Sequence, residues 1–130
     1  MAFLYAWLLA TLLSGIPSTA YALLTGGDAM EATRAAGAMV GRPDSVLAAA
    51  AVHLAVSTFW SVVLWFTLRS AWWALPASAL IALLYLRVIA PLFFPEVAAL
   101  AFWPQFADHL AWGAFYSVGL SLGSPRATRP

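Results

Sequence analysis

Residues 46–68 read VLAAAAVHLAVSTFWSVVLWFTL, an apolar run with no Asp, Glu, Lys or Arg. As a helix it is long enough to cross a bilayer, which takes about 20 residues. Three more runs of comparable length lie at residues 3–24, 72–90 and 104–122. The chain has 130 residues, 64% of them hydrophobic and 8% charged, with a mean hydropathy of +0.88. A soluble domain averages roughly 45–50% apolar and about 25% charged. The reading is one all-α membrane domain over residues 1–130: four transmembrane helices in an up-down bundle, multi-pass in the inner membrane, with a polar tail at 123–130.

The joints between the runs are legible from turn and cap chemistry. Gly15-Ile16-Pro17-Ser18 predicts a kink or local unwinding inside the first run, because proline lacks an N–H and clashes with the preceding turn. The segment from Met1 to Ala22 ends in Thr19-Ala20-Tyr21-Ala22, which loosely resembles a signal-peptidase site. No basic residue precedes it, so it is read as a retained first span. Asp44 or Ser45 caps the second helix. Pro76 is tolerated in the first turns of the third, Pro91 ends it, and Pro104 suits the first position of the fourth. Arg69-Ser70-Ala71 is short enough to predict a tight antiparallel hairpin of spans two and three. Between spans one and two, Gly26-Gly27 stops the first helix. Asp28 and Glu31 have capping-box spacing ahead of a short interfacial helix over 29–40, and Gly41 ends it. Residues 91–103 suggest a second short interfacial helix, with Phe93, Phe94, Phe102 and Trp103 in the aromatic belt.

Four spans place both termini on one face with Arg69, Arg126 and Arg129, against Arg34 and Arg42 on the other. The positive-inside rule then puts both termini in the cytoplasm. All six basic residues are arginine and the net charge is +1, which gives no clustered basic face for nucleic acid. The absence of cysteine excludes disulfides, thiolate metal sites and cysteine nucleophiles.

The two histidines each head a ridge at four-residue spacing: His53 with Ser57 and Ser61, His109 with Gly113, Ser117 and Ser121. Ionisable groups inside membrane segments are rare and usually face protein or water. Spans two and four run the same way, so the histidines differ in depth by only about 3 Å. Arg87 and Asp108 lie near the same level, so a polar cluster of His53, Arg87, Asp108 and His109 in the outer leaflet is geometrically allowed. One reading has the histidines and serines as hydrogen-bonding pins between helices. A second is a bis-histidine haem or metal site at His53 and His109, non-covalent because no Cys-x-x-Cys-His is present. A third is a path for a small molecule or ion. A fourth, catalysis at the outer surface, lacks an acid to orient His53 toward Ser57 or Ser61. Arg87, near a helix end, is expected to snorkel to the headgroups. Trp7, Trp72, Trp73 and Trp103 suit interfacial anchoring, while Trp60, Trp65 and Trp112 pack in the bundle or face lipid. The recurrence of His-x3-small-x3-Ser in spans two and four suggests a parallel two-plus-two internal repeat.

Gly15-Ile-Pro-Ser-Thr, Ala22-Leu-Leu-Thr-Gly-Gly-Asp, Ala32-Thr-Arg-Ala-Ala-Gly, His53-Leu-Ala-Val-Ser-Thr-Phe-Trp and above all Pro104-Gln-Phe-Ala-Asp-His-Leu-Ala-Trp-Gly carry a resemblance over nearly the whole chain. It resembles an uncharacterised family of small four-helix bacterial membrane proteins of actinobacterial type. The resemblance implies that Asp108 and His109 belong to a recurrent motif, and it brings no activity with it. The functional expectation is therefore a non-enzymatic membrane protein embedded in lipid, associating with itself or with another membrane protein. A haem or metal protein is the alternative, and small-molecule or ion permeation the third.

Overall fold

The structure, a computed structural model, describes residues 1–68 and 70–123. Arg69, Arg126, Arg129 and the rest of the expected tail fall outside those residues, and Gly123 is the last residue of a helix. The described chain is all-helical: α1 (Ala2–Leu13), α2 (Ile16–Thr25), α3 (Glu31–Ala38), α4 (Val46–Thr67), α5 (Ala74–Leu84), α6 (Ala90–Phe93), α7 (Pro95–Ala98) and α8 (Phe102–Gly123). A 3-10 turn (Ala71–Trp73) leads into α5, and a π-helical turn (Tyr85–Ile89) joins α5 to α6.

Three segments are long and apolar enough to cross a membrane: Ala2–Thr25, Val46–Thr67 and Ala71–Phe93. The fourth, α8, is 22 residues long but falls short in apolarity, with Gln105, Asp108 and His109 in its first half. Its position explains this. The most extensive packing in the molecule is that of α1 on α8, followed by α5 on α8, and α2 lies on α8 as well. A helix covered by protein on several sides can carry polar groups that a lipid-facing helix cannot.

The α1–α8 contact is built from small residues. Ala6 and Ala10, one turn apart, are fully buried. A β-carbon on Gly119 would fall onto the Ala6 backbone, and one on Gly123 onto Ala2. On α8's other side, a β-carbon on Gly113 would fall onto Ser78 of α5. Such residues let backbones approach closely where no hydrophobic effect drives helices together. The order of contacts makes α1–α2 antiparallel to α8: Ala2 meets Gly123, Ala6 meets Gly119, and Ser18 meets Asp108.

The expected tight hairpin of spans two and three does not form as a packed pair. The backbone of α4 packs on α1 and α3, not along α5. The stacked rings of Trp112 and Tyr116, 5.2 Å apart, share a core with Leu64 and Trp60 of α4 and Ala74 and Ile81 of the third segment. Bulky side chains thus fill a gap that small residues close elsewhere.

The helix ends differ in detail from expectation. Ser45 caps α4, accepting from the Ala48 N–H at 3.2 Å. Asp28 does not cap α3, whose N-cap position is Met30. Its carboxylate instead accepts from the Met30 N–H at 2.8 Å and pairs with Arg34. The Arg34 guanidinium holds the Asp28 carboxyl below the usual carboxylate range. Gly26 and Gly41 take φ of +68° and +70°, the left-handed conformation that ends helices. Pro91 does not end the third segment, which continues to Phe93. The preceding π turn, closed by Ala90 N–H to Tyr85 C=O, widens the helix where the proline ring would otherwise press on the previous turn. The second short helix, α7, is only four residues long. It packs with α3 through Ala35, Ala90 and Val97.

Candidate functional site

The first segment breaks at Ser14–Gly15, midway along its length. A helix end leaves its last four carbonyls and first four N–H groups without partners, which is costly away from water. Two other helices supply partners. His53 of α4 donates its Nε2–H to the Thr11 carbonyl, in the last turn of α1, at 2.8 Å. Asp108 of α8 accepts the Ser18 N–H, in the first turn of α2, at 2.8 Å through Oδ1. The pairing suits the helix dipoles, with an anion at the positive end and an imidazole at the negative end. The break that Pro17 dictates is thus capped from outside its own helix.

Thr11 is the hub of a wider network. Its hydroxyl lies 2.6 Å from Ser57 Oγ, which also accepts from Trp112 Nε1 at 2.9 Å. Trp7 Nε1 donates to Thr58 Oγ1 at 2.9 Å. The fully buried Tyr116 hydroxyl donates to the Ser61 carbonyl at 2.7 Å. The hydroxyls of Ser14 and Ser61 are buried and have no partner among the described residues. In all, α1, α4 and α8 are stitched along one seam.

Of the four residues expected to cluster, two, His53 and Asp108, both reach the break in the first segment. Arg87 stands apart, its guanidinium 4.0 Å from the centroid of the Phe102 ring. Among the described residues His109 makes no cross-helix hydrogen bond. Its Nδ1–H donates to the Gln105 carbonyl of its own helix at 2.8 Å, and its ring lies 5.8 Å from that of Tyr85. A carbonyl can only accept, so the two imidazoles carry their protons on opposite nitrogens. The nitrogens left for a metal or haem iron are Nδ1 of His53 and Nε2 of His109. Among the described residues no three histidine or carboxylate side chains stand close enough to share a metal ion.

The ridges divide differently from the sequence reading. On α4, His53 and Ser57 point their bonds across to α1 and α8. On α8, the residues that bond across are Asp108, Trp112 and Tyr116, one position before the His109 ridge. Gly113 does meet α5, but Ser121 is exposed and bonds back to the Ser117 carbonyl at 3.0 Å. The two His-x3-small-x3-Ser stretches therefore have unlike roles and no common repeat geometry. Thr11, Ser18 and Tyr116 are not among the expected site residues, and Trp112, expected to pack in the bundle or face lipid, packs in the core and also bonds to Ser57. The four-residue spacing of Asp108, Trp112 and Tyr116 was the available signal, beside that of Ala2, Ala6, Ala10 and Ser14.

A shallow cleft of about 70 Å³ opens between α2 and the start of α8, lined by Ser18, Tyr21, Thr25, Asp28, Glu31 and Gln105 among others. No family profile, curated protein or solved structure matches the chain.

Proposed function

We propose that this chain is a four-span protein of the inner membrane, in up-down order with both termini cytoplasmic, that acts without chemistry of its own through association with a second copy of itself. The observation that carries this reading is how its polar residues are spent. His53, Ser57, Asp108, Trp112 and Tyr116 are committed to bonds between helices of one chain, which is what a scaffold requires. The face of α4 turned away from that seam is left with exposed Ala51 and Ala55, one turn apart, the small-residue spacing that lets a neighbouring helix approach closely. The fourth span is α8, shielded from lipid by its neighbours. The contact of Ala2 with Gly123 supports termini on one side.

Cross-linking tests the reading cleanly because the chain has no cysteine. In membranes, Ala55→Cys should form a disulfide-linked dimer on mild oxidation, and Leu80→Cys, on the exposed side of α5, should not. Equal linking at both sites, or a strictly monomeric protein by native mass spectrometry, would overturn it. Capture of a different membrane protein at Ala55 would shift the reading from self-association to another partner.

The interrupted first segment favours a second reading, passage of a small ion or molecule, since broken helices in transporters line their binding sites. Proteoliposomes in which Asp108→Asn and His109→Ala leave flux unchanged from wild type would remove its basis.

A further inference from the structure

Arg87 is the one described cation inside an apolar segment, and the fold gives it no anion. It lies in the π turn of the third segment, six positions before Phe93, or about 9 Å along the helix axis. The buried positions of this segment recur at every fourth residue, Ala74, Ser78, Ala82, Leu86 and Ala90. In a regular helix of 3.6 residues per turn that spacing drifts steadily round the surface. The wider π turn takes up part of the drift and keeps Leu86 and Ala90 facing inward. Arg87, next to Leu86, is left exposed at the edge of the packed face.

Its guanidinium carbon lies over the Phe102 ring, 4.0 Å from the centroid, a cation–π contact. None of its five N–H donors meets an acceptor among the described residues, where the only ion pair is Arg34 with Asp28. An unpaired charge at this depth is costly, so the arrangement is complete only with an anion supplied from outside the chain. The anion present where acyl chains meet headgroups is a phosphodiester, and the arginine fork matches two of its oxygens. Trp103, 73% exposed and edge-on to the Phe102 ring at 5.0 Å, adds apolar surface for a glycerol backbone and acyl chain.

We propose that Arg87, stacked on Phe102, is a binding site for the phosphate of a phospholipid in the leaflet on the α3 side of the protein. This rests on the membrane reading above. If the chain fails to fractionate with membranes that reading falls, whereas the lipid site is tested on membrane-extracted protein.

The experiment is native mass spectrometry and thermal unfolding of the detergent-purified full chain. Added phosphatidylglycerol, phosphatidylcholine, diacylglycerol and inorganic phosphate are compared on wild type, Arg87→Gln, Arg87→Lys and, as a control, Arg34→Gln. Both phospholipids should bind and stabilise wild type and Arg34→Gln. Arg87→Gln should weaken phospholipid binding about tenfold, the order expected when a charge-assisted, two-pronged contact is removed. Arg87→Lys should fall in between. Diacylglycerol and inorganic phosphate should do little. If diacylglycerol stabilises as well as the phospholipids, the phosphate is not what is recognised. If inorganic phosphate matches them, the site takes a free anion and not a lipid. Equal phospholipid binding by Arg87→Gln and wild type would remove Arg87 from the site. Should Arg87→Gln not fold, Arg87→Lys and the four-ligand comparison on wild type decide the matter.

Discussion

Replacing Asp108 by alanine should loosen α2 and leave the rest of the bundle in place. Nothing in α2 is buried, and among the described residues its hydrogen bond to the bundle is that of the Ser18 N–H with Asp108. Helix-terminal charges contribute up to about 2 kcal/mol in partly buried settings, and interhelical hydrogen bonds measured in a membrane protein average about 0.6 and reach about 1.7 kcal/mol. A loss of about 1.5 kcal/mol from the local opening equilibrium follows, which is roughly a twelvefold rise in opening. Hydrogen–deuterium exchange of the detergent-solubilised protein reads this directly. Amides of α2 should exchange about twelvefold faster in Asp108→Ala, while α1, locked by Ala6 on Gly119, stays as in wild type. Asp108→Asn keeps an acceptor oxygen without the charge and should fall between the two. Unchanged exchange in α2 would refute the capping role, and so would a uniform rise along the whole chain, which would make Asp108 a global rather than a local support.

Gly119→Val should force α1 off α8, costing about 3 kcal/mol as an overpacked contact and lowering the thermal midpoint measured by helical circular dichroism. Ser57→Ala takes the acceptor from Trp112 and a partner from Thr11. A double-mutant cycle with Trp112→Phe should return a coupling of about 0.6–1.7 kcal/mol, and a value of zero would mean the bond contributes nothing. At the exposed Asp28–Arg34 pair the lowered carboxyl means that the pairing is intact above the ordinary carboxylate value and is lost as pH falls through the lowered one. An NMR titration should place the Asp28 midpoint below 3.8, and Arg34→Gln should move it back up.

How much of this was open to a reader of the sequence depends on the range of the interactions. The helices, the break at Pro17 and the stops at Gly26 and Gly41 follow from local chemistry: apolar length, a missing N–H, a left-handed turn. Asp108 and His53 stand out by their rarity in apolar runs. Their tasks do not, because each is fixed by a helix distant in sequence. Pro91 misled for the opposite reason. Its local rule is sound, but the π turn before it, held in place by the packing of Leu86 and Ala90, relieves the clash on which the rule rests.

What the sequence determined by itself is therefore a set of apolar helices, one of them broken, with a handful of polar groups at similar depth. Only the tertiary structure decided which groups meet. It turned Asp108 rather than His109 toward the break, set α8 at the centre where its polarity is sheltered, and left Arg87 over Phe102 with no ion pair among the described residues. The physical reason is that a helix periodicity locates a residue on a face, whereas the partner of that face depends on close approach at Ala6, Gly113 and Gly119, where a single extra carbon would clash.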